Sequence, residues 1–275
     1  RVLQHNPSAE AAAALRTALE PAMEPTWQLA LVNALAARRD AAAVPVLVRL
    51  TQHDDVALAT AATAALGDIG GRDAVNGLYA LWRGSDETRR ATAAAALIQA
   101  AERLAAGGDK AQAVEIFTTV YQPSLSPALQ TAALHGLTVA DPDAAVPRLL
   151  EVLHGERAPA LGPVAVRLLA DLPGPAVTGI LVKELPALPP ELQLVAIDAL
   201  GTRGDRSAKP AIVDLLASSN VPVRCAALRA LESLGDSADI LVLAGVAASA
   251  NREERDAARH ALARLRGAEL NAVFI

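Results

Sequence analysis

Five histidines and one cysteine are the side chains in this sequence most able to make or break bonds. A metal held on a helix needs ligands about one turn apart, and a nucleophilic thiol needs a base beside it. His5, His53, His135, His154 and His260 are widely dispersed; none is followed by glutamate, and no two stand four residues apart. No metal site and no cofactor is therefore expected. Cys225 has no histidine near it in sequence and, being alone, excludes an intramolecular disulfide; it reads as a packing residue. The pairs Gly70-Gly71 and Gly107-Gly108 lack the Gly-Lys-Ser/Thr of a phosphate loop and read as turns.

With no cluster of reactive residues, the bulk composition bounds the function. Apolar types make up 52% of the chain but aromatics only 2%, so the core must be built of Ala, Leu and Val, which favours helices over a large sheet. The formal charge is −5, and neither half hides a basic excess: residues 1–137 hold 11 Lys+Arg against 13 Asp+Glu, the remainder 14 against 17. Nucleic acid is accordingly not the expected partner. Trp27 and Tyr79 are expected in the core rather than on a base-stacking surface. No uncharged apolar run reaches the roughly 18 residues of a membrane span, no signal-peptide layout opens the chain, and the lack of disulfides leans toward the cytoplasm. The start at Arg1 without Met, and the apolar end from Asn271 to Ile275 resembling the opening of another helix, give the expectation of a piece of a longer protein.

The organising feature is a repeat. An anchor leucine recurs at Leu35, Leu66, Leu97, Leu137, Leu169, Leu200, Leu231 and Leu262, at intervals of 31, 31, 40, 32, 31, 31 and 31. Four residues before each stands Leu31, Ala62, Ala93, Ala133, Ala165, Ala196, Ala227 or Ala258; eight before it is usually a large side chain such as Trp27, Leu58, Leu129, Leu161, Leu192 or Val223. That is helical spacing. The recurring alanine predicts a site where one helix presses on the next, and a larger residue there would overpack the stack. Eleven before the anchor come Glu24, Asp55, Asp86, Ser126, Asn220 and Asn251, which can cap a helix start, and Pro25, Pro127 and Pro190 follow at the first helical position. After each anchor a Gly/Asp/Pro break leads to a partner helix, as in residues 43–50 (AVPVLVRL) and 145–153 (AVPRLLEVL). The unit is two antiparallel helices.

The run 220–236 (NVPVRCAALRALESLGD) resembles the second helix of a HEAT repeat of the short bacterial, phycobilisome-lyase-like type, and the AVPxLxxL helices resemble the first. The resemblance covers nearly the whole chain. It implies an all-α fold, a right-handed α-solenoid of about eight stacked antiparallel helix pairs, here one body over residues 1–275 with an irregular, lengthened repeat at 101–126. It also implies a ladder between repeats, in which an arginine early in the second helix works with acidic or amide caps. That arginine position, seven before the anchor, is filled by Arg90, Arg224 and Arg255, but elsewhere by Gln28, Ala59, Gln130, Gly162 and Gln193; the matching caps are Asp55, Asp86, Asn220 and Asn251. A HEAT-type nucleic-acid-binding protein or lyase-like enzyme is the alternative: the iron-binding HEAT enzymes carry His-Glu motifs that are absent here, and neither a cationic aromatic surface for DNA nor a polar cleft for pigment is evident.

What remains is surface. Two residues before each anchor stand Asn33, Ala64, Ala95, His135, Arg167, Asp198, Arg229 and His260. The last five, with Asp256 and Arg264, are predicted to form a strip along the concave face that binds a polar protein or peptide, making the chain a non-catalytic scaffold.

Overall fold

The computed structural model describes residues 8–19, 24–84, 86–156 and 158–273, and among them every regular element is helical. Two compact units emerge, Arg1–Ala145 and Val146–Ile275. The first holds α1 (Ala9–Thr17), α2 (Pro25–Arg38), α3 (Val44–Leu50), α4 (Val56–Ile69), α5 (Gly71–Gly84), α6 (Glu87–Ala106), α7 (Lys110–Val120) and α8 (Pro127–Ala140). The division falls within α9 (Pro142–His154). The second unit continues with α10 (Ala158–Asp171), α11 (Pro175–Glu184), α12 (Pro190–Arg203), α13 (Lys209–Asp214), α14 (Val221–Leu234), α15 (Ile240–Val246) and α16 (Arg252–Val273). The even-numbered helices carry the anchor leucines; the odd-numbered ones are their partners.

Within each unit anchor helices pack on anchor helices. In the first, α2 lies on α4, α4 on α6 and α6 on α8; in the second, α10 lies on α12, α12 on α14 and α14 on α16. Small side chains make this close approach possible. A Cβ added to Gly67 would come within 2.7 Å of the Ala96 carbonyl oxygen, and one on Gly162 within 2.7 Å of the Leu192 side chain. The recurring alanines are 0 or 1% exposed from Ala62 to Ala258, which explains why nothing larger occupies that register.

A second register, three before the anchor, is equally closed. Val32, Thr63, Ala94, Leu134, Val166, Ile197 and Leu228 are all between 0 and 3% exposed. It lies between the positions seven before and one after the anchor, one turn from each, so the three share a stripe. That stripe faces the following anchor helix, because Gly162 and Gly201 lie on it and meet Leu192 and Ala230 of the next repeat.

The caps act locally. Asp55 accepts from the amides of Ala57 and Leu58 (2.8 and 3.1 Å), Asp86 from Arg89 (3.0 Å), Asn220 from Val223 (3.2 Å) and Asn251 from Glu253 and Glu254 (3.0 and 3.2 Å). Pro25, Pro127 and Pro190 each open a helix. Glu24 departs from the expectation: it precedes α2 but makes no side-chain cap bond. Its extra methylene carries the carboxylate past the geometry that Asp, Asn or Ser achieves.

Trp27 is a second correction, 62% exposed rather than in the core. Its register faces the preceding anchor helix elsewhere, as Leu192 faces Gly162, and among the described residues no anchor helix precedes α2. Leu262 is half-buried where other anchors are closed, because its forward side has no later anchor helix against it among the described residues. The apolar end opens no new helix at Asn271; residues 271–273 continue α16, and Phe274, Ile275 and His5 lie outside the described residues. The long interval between Leu97 and Leu137 is absorbed by extending α6 to 20 residues before the turn at Gly107-Gly108-Asp109.

Candidate functional site

Four of the residues seven before the anchor, two glutamines and two arginines, share one task. Each of these anchor helices follows a connection from its partner helix whose carbonyls need donors. The Gln193 side-chain amide donates to the Leu185 carbonyl (3.2 Å), Gln130 donates to those of Leu125 and Pro123, and the Arg224 and Arg255 guanidinium groups donate to Ser218 (2.6 Å) and Ser249 (3.5 Å). Glutamine and arginine both supply the required N–H, so the position tolerates either. For Arg224 the partners are not caps: the Asn220 and Asn251 side chains hold their own helix starts, and the cross-repeat ion pair made by Arg224 runs to Glu254 at the start of α16, with Nε at 2.9 Å. Sequence reasoning missed Glu254. It sits at a register filled elsewhere by large apolar residues, save for Arg89, and that departure is its signal.

The row two before the anchor is exposed at every described repeat, from Asn33, Ala64 and Ala95 through His135, Arg167, Asp198 and Arg229 to His260. The structure brings together only some of its members. In the second unit, Asp198 on α12, Arg229 on α14 and Arg264 on α16 line one groove of about 380 Å³, floored by Gly201, Ala226 and Ala230. Thr202, Ser233 and Glu232 complete it, three residues that the two-before row could not reveal because they lie on adjoining registers. Ser233 donates to the Gly201 carbonyl (2.7 Å), stitching α14 to α12 under the groove, and Arg264 reaches Glu232 at 3.5 Å. An open hollow of about 700 Å³ shares Arg264 with it and is lined also by Asp256, Arg259, His260 and Ala263. Asp256 is held by Arg252 (3.6 Å) and Arg255 (4.0 Å). Arg167 is exposed on α10 and lines neither hollow.

His135 belongs to the first unit and a different setting. Together with Glu102 and Lys110 it rims a hollow of about 370 Å³ over Ala105, Ala106, Phe117 and Val139. Gly136 is required there, since a Cβ would meet the Phe117 ring at 2.2 Å. The extended α6 supplies one wall, so the lengthened repeat creates this hollow.

Groups suited to bond-making do not converge on the grooves. Cys225 is buried in α14, and its thiol is pushed above its ordinary value first by desolvation and then by the Glu254 carboxylate, which disfavours the reactive thiolate. Among the described residues no three His, Cys, Asp or Glu side chains are placed to hold a metal ion, and no helix is long and apolar enough to cross a membrane.

Similar solved structures include human deoxyhypusine hydroxylase in complex with glycerol, 16% identical over 97% of this chain and 98% of that one, with a TM-score of 0.40. The complex of CpcE and CpcF of phycocyanin lyase from Nostoc sp. PCC7120 is 19% identical over 92% and 94%, with a TM-score of 0.41. Neither similarity bears on activity. No curated protein matches the sequence significantly. The sequence profile of the HEAT repeats matches residues 12–98 and 178–263, more than half of the chain, in the regions where the 31-residue register is kept; this protein belongs to the HEAT-repeat family.

Proposed function

We propose that this HEAT-repeat chain is a non-catalytic scaffold whose anchor-helix face in the second unit holds a partner protein. The observation that carries this reading is the groove shared by Asp198, Arg229 and Arg264, one residue from each of three successive anchor helices. Such a groove offers donors and acceptors along a line while its alanine and glycine floor admits a main chain closely. Arg167, Asp198, Arg229 and His260 are not drawn into ion pairs among the described residues, so they are available to a polar surface. The closed thiol of Cys225 and the dispersal of the histidines favour binding over catalysis.

The test replaces Asp198, Arg229 and Arg264 together with alanine and compares affinity capture from native lysate by quantitative mass spectrometry. A protein captured by the original chain should be lost from the variant while the circular dichroism of the two coincides. Undiminished capture by the folded variant would remove the groove from the account.

A further inference from the structure

In both units the register three before the anchor, by which an anchor helix receives the next one in its unit, is apolar or threonine until α16. There the central residue is Arg259, exposed, in the register where Leu228 on the neighbouring α14 is fully buried. Arg255 precedes it on the same stripe, Ala263 follows, and Arg252 extends the stripe by one turn toward the helix start. Asp256 is the carboxylate facing Arg252 and Arg255 and must serve both. Arg259 has no ion-pair or hydrogen-bond partner among the described residues, and it opens onto the 700 Å³ hollow beside His260 and Arg264. A helix pair of the ordinary apolar kind could not cover this flank without stripping water from an unpaired guanidinium, which is strongly unfavourable. A carboxylate can cover it, because the planar guanidinium fork matches two carboxylate oxygens. The chain as a whole is acidic at −5, so the flank is a local inversion of its charge.

We propose that the outer flank of α16, centred on Arg252, Arg255 and Arg259, is a docking surface for an acidic segment of a partner protein. The inference rests on the reading of the chain as a protein-binding module, but it is centred on Arg252, Arg255 and Arg259, none of which lines the groove that α12, α14 and α16 share. Charge complementarity selects the occupant: several carboxylates on one strand or helix would meet several arginines one turn apart, and Ala263 leaves room for their backbone.

The test measures fluorescence anisotropy of a labelled poly-glutamate peptide against the full chain at low ionic strength. Binding that weakens with added salt and falls about tenfold or more in Arg259→Glu is the expected result, the size of one charge pair reversed. Arg72→Glu, on the exposed start of α5 in the other unit, should leave it unchanged. The proposal is overturned if the original chain does not bind the peptide, if Arg259→Glu binds equally well, if Arg72→Glu weakens binding as much, or if a single-stranded oligonucleotide of equal charge binds more tightly. Arg259 is exposed, so the variant is expected to fold, with unchanged helicity as the check.

Discussion

The anchor helices α2 and α16 each carry a flank that no other anchor helix covers among the described residues, and the two flanks are chemically opposite. On α2 the uncovered side faces backward and presents Trp27 and the half-buried Leu31; on α16 it faces forward and presents Arg252, Arg255 and Arg259. Leu31 stands where every later repeat has a buried alanine, and Arg259 where every earlier repeat has a buried Val, Thr, Ala, Leu or Ile. Both exceptions fall where no neighbouring anchor helix lies against that side among the described residues. The alanine register thus follows from packing against the preceding anchor helix and the apolar register from the burial imposed by the following one, not from the helix that carries either residue.

That contrast can be broken by moving residues between covered and uncovered registers. The largest effect is expected from Leu228→Arg, which gives α14 the residue α16 tolerates: burying an unpaired charge should cost about 3–5 kcal/mol, read from denaturant unfolding by circular dichroism. An unfolding midpoint close to the original would show that the stripe on α14 is not closed. Next, Ala196→Leu gives α12 the residue that α2 carries at Leu31, and overpacking should cost about 1–3 kcal/mol in the same measurement. The reverse change, Leu31→Ala, should cost less than about 1 kcal/mol, since Leu31 is only half-buried; a loss as large as that of Ala196→Leu would mean that α2 is as tightly covered as its successors. Smallest in stability, within about 0.5 kcal/mol, is Arg259→Leu. It completes the apolar stripe, so its expected signature is concentration-dependent self-association in sedimentation, and a variant that stays in the original's association state would weaken the view that Arg259 keeps the flank from stacking.

Much of this was legible beforehand because helical repeats are governed by neighbours a fixed distance away in sequence. The 31-residue spacing located the anchors, the alanines and the helix starts, as Asp55, Asn220 and Pro190 show. It could not foresee Trp27, whose type matched its register while no anchor helix precedes α2 among the described residues. It also ranked Arg90, Arg224 and Arg255 above Gln130 and Gln193, since residue type conceals that both are amide or guanidinium donors to the same carbonyls. Arg259 was visible as a break in its register, but its meaning depended on knowing which stripe faces forward.

Periodicity alone determined that this chain builds anchor helices with alanine-thin contacts and capped starts, because hydrophobic spacing and local hydrogen bonding operate within a few residues. Which side chains meet was decided only in three dimensions: Asp198, Arg229 and Arg264 share a groove, His135 sits apart over Phe117, and Glu254 answers Arg224. Those meetings depend on the rotation and closeness of one helix against the next, set by small volumes such as Gly67, Gly162 and Gly201, and no count along the chain contains them.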